Sequence, residues 1–246
     1  MNTTMPGPMA LVAPDLDVAI AEDDQSGLIR NINIDERTFG IRLADTEQGR
    51  SAASMLISRM YATRGYQVTS PLMYGPNRIT LAAAIDDDVM GTISLGIDSS
   101  MGILADEIFK DEIDTWREKG ARVCEITKLA IDPQLKSKRA LAALFHTLFI
   151  YARHLYGCTD MFIEVNPRHR RFYETMLKFE VVCEARNNPR VDAPAVLLRM
   201  NTVYGTGLIA KWAGQGDASG NERSLYPYFF SAREEAGIIN RLKTLG

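Results

Sequence analysis

The run Glu125-Ile126-Thr127-Lys128-Leu129-Ala130-Ile131-Asp132-Pro133 decides the fold of this 246-residue chain. Its apolar and β-branched residues make it strand-like, one acid stands inside it, and Asp132-Pro133 ends it. The basic turn Lys136, Lys138, Arg139 follows. Residues 135–156 then read as the clearest helix of the chain, with Leu141, Leu144, Phe145, Leu148, Ala152 and Leu155 on one face and Gly157 at its end. A short strand over 161–165 comes next, and a parallel pair is expected around the two crossover helices of the chain.

Upstream, Phe39, Ile41 and Leu43 alternate within 37–43 and predict a first strand. Over 45–64, Ala52, Met55, Leu56 and Met60 fall at helical spacing before Gly65. Strands over 79–85 and 90–97 flank Asp86-Asp87-Asp88, an acidic hairpin tip with no histidine or further acid at the spacing a metal needs. A helix is expected over 101–118 and a strand over 122–131. Downstream, 168–177 reads as a helix and 179–186 as a strand, and Asn187-Asn188-Pro189 turns the chain into a strand over 195–200.

This order predicts an α/β (α+β) fold with a mixed, mostly antiparallel central sheet flanked by helices. Residues 1–30, rich in small residues, Pro and acids, read as a mobile tail, and 31–200 as one domain. Residues 201–246 form a C-terminal extension, with a Gly/Ser/Asp linker, the aromatics Tyr226, Tyr228, Phe229 and Phe230, and a final helix.

With 46% apolar and 24% charged residues, the chain can bury a sizeable core. A net charge of −3 argues against a chain-wide nucleic-acid binder, so any basic patch is local. Cys124, Cys158 and Cys183 show no CxxC spacing and cannot all pair, which points to reduced thiols and the cytoplasm, without zinc. No apolar run reaches membrane-helix length, and the first residues lack the basic start of a signal peptide.

Glu125 is the acid to explain. A carboxylate inside a strand costs free energy unless paired or protonated, and one with a raised pKa can take the proton from an amine. Strand alternation puts Lys128 on the opposite face, unless a bulge intervenes. Lys136, Lys138 and Arg139 oppose the dipole of the helix they introduce, a penalty that a bound phosphate cancels. Asn166-Pro167-Arg168-His169 opens a helix after a strand; Asn caps, Pro suits the first position, and Arg168 can pair with a carboxylate. Met55, Met60, Phe145 and Phe149 are core residues or, in a functional reading, the lining of an acyl tunnel.

The element order resembles the acetyltransferase (GNAT) superfamily, and within it several segments resemble the FeeM-type N-acyl amino acid synthases, relatives of the autoinducer synthases. These are Ile103-Leu104-Ala105 through Phe109, 123–132, Val165-Asn166-Pro167-Arg168-His169, Phe172-Tyr173-Glu174 and 193–198. The resemblance implies transfer of a fatty acyl group from acyl carrier protein to the α-amine of an amino acid, with no metal and no permanently bound cofactor. It implies Glu125, Tyr173 and His169 as catalytic candidates, with Tyr173 as proton donor to the leaving thiolate. Lys136, Lys138 and Arg139 would hold the phosphopantetheine, and Arg168, Asn166 and Lys128 the amino acid. Two departures stand out: 136–141 lacks the glycines of the acetyltransferase phosphate loop, and Lys178 stands where a glycine usually precedes the Phe. Lost glycines weaken backbone cradling of coenzyme A and leave room for side-chain contacts to a single phosphate. An autoinducer synthase, an acetyl- or acyl-coenzyme A enzyme and a non-catalytic acyl-binding module are the alternatives.

Overall fold

The computed structural model describes residues 28–34, 37–66, 75, 77–85 and 88–245. The expected 1–30 tail therefore lies outside the described residues up to 27, as do Asp86 and Asp87 of the acidic tip. Four strands, β1 (Leu28–Ile34), β2 (Arg37–Leu43), β3 (Arg78–Ile85) and β4 (Asp88–Ile97), run as an antiparallel meander, with α1 (Glu47–Ala62) between β2 and β3. After α2 (Asp106–Arg117), β5 (Val123–Ile131) joins β4 antiparallel and β6 (Asp160–Val165) parallel. The crossover between them is α3 (Lys138–Ile150), whose last stretch widens into a π-helical turn, Tyr151–Leu155. Then come α4 (Arg170–Met176), β7 (Glu180–Val181), β8 (Arg186–Asn188), β9 (Ala193–Asn201), α5 (Thr202–Trp212) and α6 (Ala232–Leu245). The sheet order is β1-β2-β3-β4-β5-β6-β9-β7, with β8 on β9.

Cross-strand partners share a face, so the sheet's two sides follow from register. On one side Cys124 and Ile126 pack on α3, whose buried face includes Leu144, Phe145 and Leu148. On the other, Val123, Phe162 and Leu197 pack on Phe109 and Ile113 of α2, while Ala82 and Ala130 meet α1 through Ala53, Leu56 and Ile57. Met55, expected inward, is 70% exposed, so it neither fills the core nor lines a tunnel.

Several boundaries differ from the sequence reading: β1 precedes the strand expected to be first, and the helix expected from 101 starts at Asp106. The helix expected from 135 starts at Lys138, because Asp132 folds the preceding residues into a turn (its carboxylate accepts from Gln134 N–H at 2.8 Å) and Ser137 caps the helix. The strand expected over 179–186 is interrupted after Val181, and Asn187 and Asn188 pair with β9 instead of turning. The turn falls one step later, where Asn188 Oδ1 accepts from Arg190 N–H and Asp192 adopts a left-handed φ of 44°. Residues after 201 pack into the main core through Leu225, Tyr226, Phe229, Phe230, Ile238 and Leu242. Among the described residues no helix is long and apolar enough to cross a membrane.

Candidate active site

Glu125 points to the α2 side of the sheet and is 2% exposed. Its carboxylate is held by two backbone donors at the start of α2: Oε1 accepts from Leu104 N–H at 2.9 Å and Oε2 from Ala105 N–H at 3.1 Å. These are N–H groups that a helix start leaves without intrahelical partners, so the acid completes α2 as α2 fixes the acid. Burial pushes the Glu125 pKa up; the two N–H donors and nearby Arg78 pull the other way, and Glu164 adds to the rise. The burial effect prevails, as expected for a carboxylate moved out of water.

Room for that carboxylate comes from β4. Gly96 pairs with Glu125 on one side and with Arg78 on the other, so the three form one row across β3, β4 and β5. Arg78 reaches over the glycine until its guanidinium nitrogen lies 3.9 Å from Glu125 Oε1. The loop that supplies the N–H donors is braced separately. Asp106 accepts from Ile103 N–H, and Arg117 bonds Asp98, Asp106 and Asp114. Gly102 turns the chain there with φ of 72°, and a Cβ at this position would meet Asp106 Oδ2 at 2.3 Å. Arg190 adds a third brace, donating to Leu104 O at 2.8 Å and to Glu107 and Glu164.

Beyond Glu125 the strands part. Parallel pairing of β5 with β6 ends at Ile126 and Ile163, although both strands continue. At the same level β5 bulges: Ser94 faces Thr127 and Thr92 faces Ala130, so one extra residue is accommodated, and Lys128 takes a φ of 52°. Thr92 Oγ1 donates to the Lys128 carbonyl at 3.0 Å and fixes the bulge. Strict alternation therefore does not govern Lys128, and its ammonium pKa is lowered by burial and by Arg78. Past Ile126, the β6-facing edge of β5 is a row of backbone groups without a strand partner.

Most of the other sequence candidates stand on the turn and helix that follow β6. Asn166 caps the turn Pro167–His169 through Arg168 N–H, and its amide donates to Tyr66 Oη at 3.3 Å. Arg168 also reaches Tyr66 Oη, while His169 Nε2 lies 3.2 Å from Arg168 Nε and 3.3 Å from Arg64. Guanidinium groups only donate, so Nε2 is the acceptor and the ring proton sits on Nδ1. Burial and then Arg64 and Arg168 push the His169 pKa down, which keeps the ring neutral. Tyr173 is buried on α4, its hydroxyl makes no hydrogen bond to the described residues, and burial raises its pKa.

The basic turn is more divided than the sequence suggests. Lys136 is exposed and precedes the helix cap. Lys138 leans toward the Tyr228 ring, 5.8 Å from its centroid, and Arg139 acts on the same tyrosine, which donates to Asp217. Sequence reasoning missed Arg78, Glu164 and Arg190. Nothing local marks them; only strand register and a hairpin 26 residues further along the chain bring them to Glu125 and the α2 start.

The family of the N-acyl amino acid synthase FeeM matches residues 52–201, more than half of the chain. The solved structure of FeeM, an N-acyl amino acid synthase from uncultured soil microbes, is 25% identical with a TM-score of 0.64, covering 70% of this chain and 94% of that one. Escherichia coli ElaA is 11% identical with a TM-score of 0.50, covering 67% of this chain and 99% of that one, a likeness of fold alone. No curated protein sequence matches the chain. The chain belongs to the FeeM N-acyl amino acid synthase family and is an acyltransferase.

Proposed function

We propose that this protein moves a medium- or long-chain fatty acyl group from an acyl carrier protein thioester to the α-amine of an amino acid. The observation that carries this reading is the buried Glu125 carboxylate beside the splayed edge of β5. The amine nitrogen attacks the thioester carbonyl; the C–N bond forms, and the carbonyl oxygen's charge is held by an unpaired backbone N–H of β5. Glu125 takes the amine proton, directly or through one water. The C–S bond then breaks and the thiolate takes a proton from Tyr173, whose raised pKa keeps it protonated until that moment.

Lys136, Lys138 and Arg139 receive the pantetheine phosphate by side-chain contacts, as the absence of glycine from 136–141 favours. Asn166 and Arg168 stand at the turn that follows β6. His169 joins them as a positioning residue for Arg64 and Arg168, because its only ring acceptor is already engaged by both. Use of a carrier-bound acyl group and the free state of all three cysteines fit a cytoplasmic reaction.

Mass spectrometry of lipid extracts from a bacterial host tests the reading, with Glu125→Gln expressed beside the wild type. New N-acyl amino acids that disappear in the variant support it, and purified acyl carrier and coenzyme A thioesters then rank the donors. Soluble folded protein that yields no new amide with either donor would overturn it.

A further inference from the structure

On the Glu125 face, one hydroxyl is buried without a partner: Thr127 Oγ1. Its cross-strand neighbour Ser94 does not satisfy it, since the Ser94 hydroxyl pairs with Thr80 Oγ1 at 2.7 Å. Such orphans are uncommon in native interiors, and each calls for an explanation. One row along the sheet stands Arg78. Its 3.9 Å approach to Glu125 Oε1 is too long for a hydrogen bond, and that oxygen already accepts from Leu104 N–H. Arg78 thus keeps its donors for another acceptor, and its side chain is 29% exposed. Lys128, released from alternation by the bulge, lies within electrostatic reach of Arg78 and forms no ion pair with any described residue. Arg78 therefore stands between a carboxylate whose hydrogen bonds are already made and a second cation, Lys128.

We infer that Arg78, with Lys128, receives the α-carboxylate of a free amino acid, while Thr127 Oγ1 accepts an N–H from its amine. The inference rests on the N-acyltransferase reading above and assigns its acceptor subsite. A planar guanidinium matches a carboxylate with two parallel hydrogen bonds, and Lys128 supplies a second charge. Carboxylate and amine share one carbon, so anchoring the first beside Gly96 presents the second to Glu125. Acceptors whose carboxylate is masked leave Arg78 with only the Glu125 carboxylate at 3.9 Å, and Lys128 with no ion-pair partner among the described residues. The site accordingly selects free amino acids over their amides and over amines generally.

The test uses the purified full chain, a long-chain acyl thioester, and a panel of amino acids to find the best acceptor. That acid is then compared with its own carboxamide on the alkaline plateau of the pH profile, where Arg78's influence on Glu125 protonation no longer matters. Wild type is expected to favour the free acid by about 10- to 100-fold in kcat/KM, the range for a charge-assisted contact. Arg78→Gln and Lys128→Met should each erode that preference by raising KM for the acid, with the carboxamide changed by no more than about twofold, as uniform-binding contacts behave. Equal losses on acid and carboxamide, or no preference in the wild type, would overturn the inference while leaving acyl transfer standing. Acylation of neither acceptor would instead remove the acyltransfer reading on which it rests.

Discussion

Gly96 stands directly opposite Glu125, and a methyl group at Gly96 would lie 2.9 Å from both Cγ and Oε1 of that acid. Real Cβ atoms do not approach so closely, so the glycine sets where the carboxylate sits. Gly96→Ala should push Glu125 off its two backbone donors, lower kcat by roughly 10- to 100-fold, in line with small displacements at a reacting centre, and cost about 1–3 kcal/mol of stability by overpacking. Steady-state kinetics and urea unfolding measure both, and a variant within twofold of wild-type kcat would show that the row has slack.

Glu125→Gln keeps the shape of the side chain and removes the base. A fall in kcat of about 10²–10⁴-fold is expected. The amide nitrogen also faces a backbone N–H, costing about 1–3 kcal/mol. The pH dependence has a definite sign. Because burial raises the Glu125 pKa, kcat/KM should fall on the acid side at a limb above the ordinary value of 4.5. In stability terms a raised folded pKa means that this group's contribution is complete below 4.5 and is lost as pH rises through the folded value. The balance between wild type and variant should therefore move in the variant's favour with rising pH; a pH-independent difference would contradict the buried carboxylate.

His146 ties the C-terminal residues to α3. It is fully buried, accepts from Phe230 N–H through Nδ1 at 3.0 Å, and stacks on Phe229 and Phe230. Burial lowers its pKa, although Glu235 and Glu234 pull upward and His154 adds to the lowering. With a depressed folded pKa, its contribution is present above about 6.5 and is lost as pH falls through the folded value. Amide-exchange protection factors over residues 229–242 should fall in mild acid, and His146→Phe should flatten that dependence. A fall of the same size in the variant would assign the effect to another group.

Lys178 holds a φ of 60°, the left-handed conformation that ends α4, and Phe179 N–H bonds back to Tyr173 O at 3.2 Å. Lys178→Gly should relieve about 1 kcal/mol of backbone strain, offset in part by loss of the half-buried pair with Glu222 at 3.6 Å. A rise in Tm of a few degrees or less is expected; a fall would mean that the ion pair outweighs the strain.

The sequence makes the strand with its buried acid legible because side chains alternate strictly, and the α3 stripe legible because six apolar residues recur on one face. Lys178 was also visible as the residue in a glycine's place, though not that it would keep the glycine's backbone conformation. The bulge at Lys128 left no mark in composition, since one extra residue reads as ordinary strand. Arg78 was invisible for a different reason: its position beside Glu125 depends on the register of two hairpin ladders, which single-chain periodicity does not encode. Nothing in the α3 sequence marks His146, because the backbone group it serves lies 84 residues away.

The meeting of α6 with β1 has a consequence for how the chain matures. Arg30 pairs with Glu234, and Arg241 donates to the carbonyl of Ile29, the residue skipped where the β1–β2 register shifts. These contacts span 204 and 212 residues. A nascent chain leaving the ribosome therefore lacks these contacts to β1 until residue 241 has emerged, and edge strands left without their contacts invite pairing with other chains. Productive folding thus waits on the emergence of residues 234–241, and products truncated before them should be recovered chiefly as aggregates or in complex with chaperones.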